Sequence, residues 1–362
     1  MTSDSKKRAL PQVKRKEVGV SGEDWVRFEE ARPGLHLPLL ARPTIPGVEL
    51  CEWARGHQAL IEQHLHRHGA ILFRGFDVVT PEQMDRFIQA TAGGALVYEE
   101  RSSPRSQVSG NIYTSTDHPP SERIFLHNEQ SYNLSFPLRL FFTCVTPSLE
   151  GGETPLADSR RIYQRLPPEL RARFLEKGYM YMRNFGSNFG LSWQTAFQTE
   201  DKAEVEAYCR RNAIDFEWRD GNRLRTRQVR RAAGLHPVTG EPVWFNHATF
   251  FNVSVLPPAV GAALLAEFGE ENLPNQTFYG DGSSIEPHVM DTLRAAYEAE
   301  QVSVPWQRGD LMLIDNMLAA HARSPFAGPR LVLAGMARPF PWSDVRPVEA
   351  APVSPGAVSR SA

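Results

Sequence analysis

His127 and Glu129 stand two positions apart in the segment FLHNEQSY, residues 125–132. In an extended strand, residues i and i+2 face the same side, so an imidazole nitrogen and a carboxylate can reach one point in space. These two alone fit a buried hydrogen-bonded pair as well as they fit a metal site. A third donor lies far along the chain. His321, in DNMLAAHARSPFAGPR (315–330), follows a strand-like run and an Asp-Asn turn signal and precedes another strand, which puts it at a sheet rim. A His-x-carboxylate pair with one distant histidine is the facial triad of non-haem Fe(II) oxygenases, which leaves three adjacent coordination positions open for a cosubstrate and oxygen. Zinc chemistry would leave other marks. There is no HExxH helix, and Cys51, Cys144 and Cys209 form no CxxC pair.

The elements that must hold these donors are strands with helices set irregularly between them. Strand-like runs occur at GAILFRGF (69–76), LRLFFTCVT (138–146), GDLMLIDN (309–316) and RLVLAGMA (330–337). Helical patterns occur at PEQMDRFIQAT (81–91), which opens with Pro at a first helical position, and at PELRARFLEKG (168–178), PAVGAALLAEFGE (258–270) and PHVMDTLRAAYEAE (287–300). Strands and helices do not alternate strictly, so the pattern favours an α+β fold, a β-sandwich or jelly roll with helical insertions, over a doubly wound sheet. The 362 residues, 41% hydrophobic, suffice to bury roughly three quarters of the unfolded surface. The expected organisation is a flexible basic tail over 1–20, a single domain over 21–340 and a disordered Pro/Ala/Ser tail over 341–362. A formal charge of -2 provides no field for nucleic acid or anionic membrane. Without an apolar run of membrane-spanning length or a signal peptide, the chain is expected in the cytoplasm.

HGAILFRGFDV, LHNEQSYNLSFPLRLFFTCVTPSLEGGETPLADSR and DNMLAAHARSPFAGPRLVLAGMA together resemble the taurine-dioxygenase (TauD) superfamily of Fe(II)/2-oxoglutarate oxygenases, and within it the SyrP-like branch of natural-product hydroxylases. The resemblance spans about residues 68–338. It implies a double-stranded β-helix (jelly roll) core in which His127, Glu129 and His321 hold Fe(II). It also implies 2-oxoglutarate as cosubstrate with O2, its carboxylates bound by Thr154 and Arg330. Those roles make chemical sense. A guanidinium is a planar, permanently charged fork for a carboxylate, and the hydroxyl of Thr154, after two glycines in GGETPLAD, can donate to another. Arg338 is the competing cation. Most of the superfamily carries Asp at the middle ligand, and Glu129 matches the SyrP-like branch. Related halogenases carry a small residue there, so Glu129 implies oxygen insertion.

Other features are read more plainly. In HLHRHG (64–69), His64 and His68 share a helix face but find no third ligand, so a solvated helix end is expected. The basic run RLRTRQVRR (223–231) reads as a strand with one solvated cationic face, with docking of an acidic carrier protein as the functional alternative. The segments NIYTSTDHP (111–119), RNFGSNFG (183–190) and WFNHATFFN (244–252) have the composition of pocket loops, with Asn246 and His247 as the expected polar contacts. The resulting expectation is hydroxylation of an unactivated C–H bond of an amino acid or amino-acid-derived intermediate, free or tethered to a carrier protein, in secondary metabolism. Desaturation or cyclisation by the same chemistry, a non-catalytic metal-binding scaffold or sensor, and a zinc hydrolase are the alternatives. The oligomeric state is not encoded in any feature of the chain.

Overall fold

The structure, a computed structural model, describes residues 25–97, 106–116, 118–186 and 190–349. It is an α+β arrangement built on an eight-stranded sheet. The four runs expected to be strands are neighbours at its centre, in the order Ala70–Phe73, Leu311–Asp315, Ser135–Thr146 and Leu331–Pro341. Three pairs of neighbours within this group are antiparallel. Leu39–Pro43 adds to Ala70–Phe73 in parallel, with Val26–Glu30 beyond it. Ile112–Thr114 and Gln107–Ser109 close the opposite edge.

Period-two patterning sorts the central strands between two cores. Ile71, Phe73, Phe141, Leu311, Leu313 and Leu333 pack against Trp53, Ile61, Leu65, Met84, Phe87 and Ile88 of the helices Leu50–Gly56, Gln58–His68 and Pro81–Ala92. The alternate residues Leu72, Leu140, Phe142, Met312, Ile314 and Val332 face the other way, toward Leu156 and Ala319. Each large apolar side chain so buried contributes roughly 1.5–3 kcal/mol. The helix expected at 81–91 forms over Pro81–Ala92, where the Thr80 hydroxyl accepts from Gln83 N–H and the Gln83 side chain accepts from Thr80 N–H. That reciprocal cap satisfies two donors the helix cannot pair internally.

On the inner side lies a three-stranded sheet in the order Ile124–His127, Ala319–Arg323, Leu156–Asp158. Its far side carries a core with the helices Ser159–Arg165, Pro168–Lys177 and Pro287–Glu300, through Ile162, Phe174 and Leu293 among others. A four-stranded antiparallel sheet, Asp215–Arg219, Arg223–Arg230, Tyr179–Phe185 and Asn275–Tyr279, flanks this layer.

Three sequence expectations change here. The basic run is an interior strand of the four-stranded sheet. Arg225 is 2% exposed and donates to Asn184 and Asn272, while Arg230 donates to the carbonyls of Tyr132 and Asn212. Those two charges are consumed internally, while Arg223 stays exposed and Arg227 lies beside Glu217, so the run is only partly a solvated cationic face. The histidines of HLHRHG end a helix that Gly69 caps in the left-handed region, and they are half-buried rather than fully solvated. Burial is the main cause that lowers the pKa of His64, His66 and His68, which weakens any part they play as cations for the helix dipole. Packed chain also continues past 340, because Trp342 and Val345 are buried with Phe136 and Phe245. Residues 1–20 and 350–362 of the expected tails lie outside the described residues. Among the described residues, no helix is long and apolar enough to cross a membrane.

Candidate metal centre and cosubstrate cavity

His127 is the last residue of its strand and pairs in register with His321 on the neighbouring strand. Their ring centroids are 4.3 Å apart. Glu129 does not continue the strand. The chain has turned by residue 129, and Gln130 adopts a φ of +54°. Tertiary contacts rather than the pleat of a strand therefore set the position of Glu129. Its carboxylate stands 3.9 Å from His321 Nε2, and donor atoms of the three residues all lie within 4.8 Å of one another. Two ligands each about 2.0–2.2 Å from an ion are at most about 4.4 Å apart, so the group is sized for one ion after small side-chain shifts. The donor chemistry fits too. His127 Nδ1 lies 2.9 Å from the carbonyl of Phe125, to which Nδ1–H donates in the tautomer that leaves Nε2 as the donor atom for a metal. Glu129 and His321 are 3% and 5% exposed, so a cation here would sit beside one largely buried carboxylate.

The triad opens on a cavity of about 1250 Å³ that Thr154 and Arg330 also line. Thr154 Oγ1 accepts from the indole N–H of Trp306 at 3.2 Å, which leaves the hydroxyl hydrogen to donate. Arg330 Nε donates to the carbonyl of Gly152 at 2.9 Å, a terminal nitrogen reaches Ser115 Oγ at 3.3 Å, and the guanidinium lies over the Phe326 ring. Burial and the neighbouring Arg323 lower its pKa to about 10, which still keeps it charged at neutral pH. The two glycines before Thr154 are required: Gly151 and Gly152 have φ of +64° and +72°. A Cβ on Gly152 would sit 2.3 Å from Ser148 Oγ and 3.0 Å from the Arg330 side chain. Arg338 is elsewhere. It pairs with Glu62 and the Thr91 carbonyl among the outer helices and does not line the cavity.

The three pocket segments divide. From 111–119, Ser115, Thr116 and His118 line the cavity. Arg183, Asn184 and Phe185 line it from a strand rather than a loop, and residues 187–189 lie outside the described residues. In 244–252, Trp244 and Phe245 are core, and Asn246 is turned inward, donating to Ala232 and accepting from Ala248. His247 does line the cavity. Its Nδ1 lies 2.6 Å from Ser131 Oγ, it stacks on Phe251, and burial holds its pKa well below 6.5, so it is a neutral imidazole.

A second group, His66, His236 and Asp315, also brings its donor atoms within 4.8 Å. The side chain of Arg139 fills it, donating to Asp315 at 2.5 Å and to His66 Nε2 at 3.1 Å, and also to Glu62. Burial alone would raise the pKa of Asp315, but Arg139, His236 and the backbone N–H of Leu318 outweigh it and hold the carboxylate ionised. Trp306, Ser115, Ser131 and Arg139 carry no sequence signal of these roles, because each acts on a residue distant in the chain.

Comparison with known proteins sets the class. Residues 33–337 match the model of the taurine catabolism dioxygenase TauD, TfdA family, and the chain belongs to that family. It is accordingly an enzyme, an Fe(II)- and 2-oxoglutarate-dependent oxygenase of that family. Among individual proteins it is similar to the dapdiamide synthesis protein DdaC of Enterobacter agglomerans, 40% identical over 79% of this chain and 88% of the relative. It is also 31% identical to a clavaminate synthase-like protein of Arabidopsis thaliana over 84% of this chain and 93% of that one. The crystal structure of a taurine dioxygenase from Burkholderia xenovorans shares the fold at a TM-score of 0.50, with 17% identity, covering 91% of this chain and 96% of that one.

Proposed function

We propose that this oxygenase hydroxylates an unactivated C–H bond of an amino acid or amino-acid-derived intermediate in natural-product biosynthesis, as a member of the SyrP-like branch. In this reading the main sheet and the three-stranded sheet are the two faces of a double-stranded β-helix. His127, Glu129 and His321 hold Fe(II), and Thr154 and Arg330 hold 2-oxoglutarate. The observation that carries it is the convergence of these five residues on one cavity large enough for a substrate beside the cosubstrate. The name of the dapdiamide synthesis relative supports the biosynthetic setting.

When bound, iron, 2-oxoglutarate and oxygen supply the oxidising power for C–H functionalisation, with release of succinate and CO2. The chain supplies placement. Arg330, packed on Phe326 and held by Gly152, presents a fixed cation to the distal carboxylate, and Thr154 donates a second hydrogen bond. Phe142, Phe250 and Phe251 keep water from the reacting carbon, while His247, its ring fixed by Ser131, offers one polar contact that orients the substrate. Glu129 fills the position that a halogenase leaves for chloride, so the product is an alcohol.

The test is anaerobic loading with Fe(II) and 2-oxoglutarate, then oxygen exposure with a panel of free and carrier-bound amino acids in excess chloride. A mass gain of one oxygen coupled to succinate is expected. A chlorinated product, or turnover independent of 2-oxoglutarate, defeats the proposal.

A further inference from the structure

We infer that Asn316 is the positioning residue that sets Glu129 for metal binding. The inference rests on the reading of Glu129 as an iron ligand and adds what holds it. Glu129 lies past the end of the strand Ile124–His127, where the ladder to Ala319–Arg323 no longer governs the backbone. The side chain of Asn316 holds it there. Glu129 N–H donates to Asn316 Oδ1 at 2.8 Å, and Asn316 Nδ2 donates back to the Glu129 carbonyl at 2.8 Å. This closes a two-point ring of the kind a neighbouring strand would make. The second Nδ2 hydrogen goes to the Pro137 carbonyl, also at 2.8 Å.

The clamp is itself clamped. Asn316 is 0% exposed, its N–H donates to Leu138, and its carbonyl accepts from Asn128. Asp315, just before it, is gripped by Arg139 and His236. Because Asn316 lies five residues before His321 on the same β-turn-β segment, it ties the middle ligand to the segment that carries the distal one. Serving one N–H and two carbonyls at once takes an acceptor and two donor hydrogens on one planar group, which a carboxamide has and a carboxylate lacks. Asn316→Asp therefore keeps the size and loses the two donations.

The experiment measures Mn(II) affinity of the metal-free full chain, by the electron-spin signal of unbound Mn(II), for wild type, Asn316→Asp, Asn316→Ser, Glu129→Ala and Asn246→Asp. Asn246 is the structural control: equally buried, bonded to Ala232 and Ala248, and outside the cavity. Both Asn316 variants are expected to bind at least about tenfold more weakly, the loss typical of a group that orients a ligand. Asn246→Asp is expected to lose melting temperature but not affinity. For a variant too unstable at the assay temperature, the rise of its melting temperature with Mn(II) reads the same affinity. Unchanged affinity in either folded Asn316 variant, with Glu129→Ala impaired, overturns the inference. Equal losses in Asn246→Asp and Asn316→Asp also overturn it, as does an Asn316 chain that shows no cooperative transition with or without Mn(II), since Asn316 would then serve folding in general. Wild-type affinity in Glu129→Ala strikes instead at the ligand assignment beneath it.

Discussion

His127, Glu129 and His321, and the neighbouring group His66, His236 and Asp315, offer the same donor types at the same spacing. They differ in what the rest of the chain supplies. The second group encloses the guanidinium of Arg139, which is 3% exposed and also paired with Glu62. Its charge is balanced from within, and it joins the helix Gln58–His68 to the end of the strand Leu311–Asp315. The first group meets a cavity, with its cation, Arg330, held apart by Gly152, Ser115 and Phe326. Donor type and spacing are common to both groups; among the described residues Arg139 occupies the second, and the first, which faces the cavity, is the one proposed to take the iron.

The largest expected effect separates the two groups outright. Glu129→Ala abolishes succinate-coupled turnover and lowers iron stoichiometry, whereas His66→Gln keeps its iron, as read by metal analysis of the purified proteins. Next comes Arg139→Met. It leaves Asp315 and Glu62 without their buried partner, and a loss of about 3–5 kcal/mol in urea unfolding is expected. An Arg139→Met protein as stable as wild type would end the view that this cation holds the second group together.

A smaller effect sharpens the cosubstrate side. Arg330→Gln is expected to raise the 2-oxoglutarate KM by roughly 10- to 100-fold, matching the roughly 1.5–3 kcal/mol of a charged hydrogen-bond contact, while the Fe(II) requirement changes little. Arg338→Gln is the control. Gly152→Ala should move in the same direction more weakly, because a methyl group there displaces the Arg330 stem.

The smallest effect is a pH slope. The folded-state pKa of His247 is lowered from 6.5, so its contribution to stability is intact above that value and is lost as pH falls below it. Each pH unit below about 6.5 costs up to about 1.4 kcal/mol for this one group. His247→Asn, whose amide nitrogen can replace Nδ1 opposite Ser131, should flatten the slope by one proton in urea titrations of the metal-free protein. His64, His66 and His68 add slopes of the same sign, so some dependence remains.

Much of this was legible from residue types. Apolar periodicity, with Pro at the first turn in the first of them, located the helices Pro81–Ala92, Pro168–Lys177, Pro258–Phe268 and Pro287–Glu300. Continuous apolar runs located the four central strands, since a strand buried on both faces is apolar at every position. The donor types of the triad could be read because iron chemistry restricts them to a few side chains at short spacing. The arginines were harder. Arg225, Arg230, Arg330 and Arg338 look alike in the sequence, and their roles differ through contacts made 18 or more residues away, such as Arg230 with Asn212 or Arg330 with Gly152.

By itself, then, the amino-acid sequence determined which segments become strands and helices and which side chains can offer electrons to a metal, because both follow from local stereochemistry and donor chemistry. Tertiary structure alone decided that Glu129 reaches the triad from a turn, that Asn316 grips its backbone, and that Arg139 fills the rival group. The physical reason is distance along the chain. Asn316 lies 187 residues from Glu129, and Asp315 lies 176 from Arg139. Only the folded packing brings such partners within hydrogen-bonding range and settles which buried charge is neutralised and which is left to a ligand.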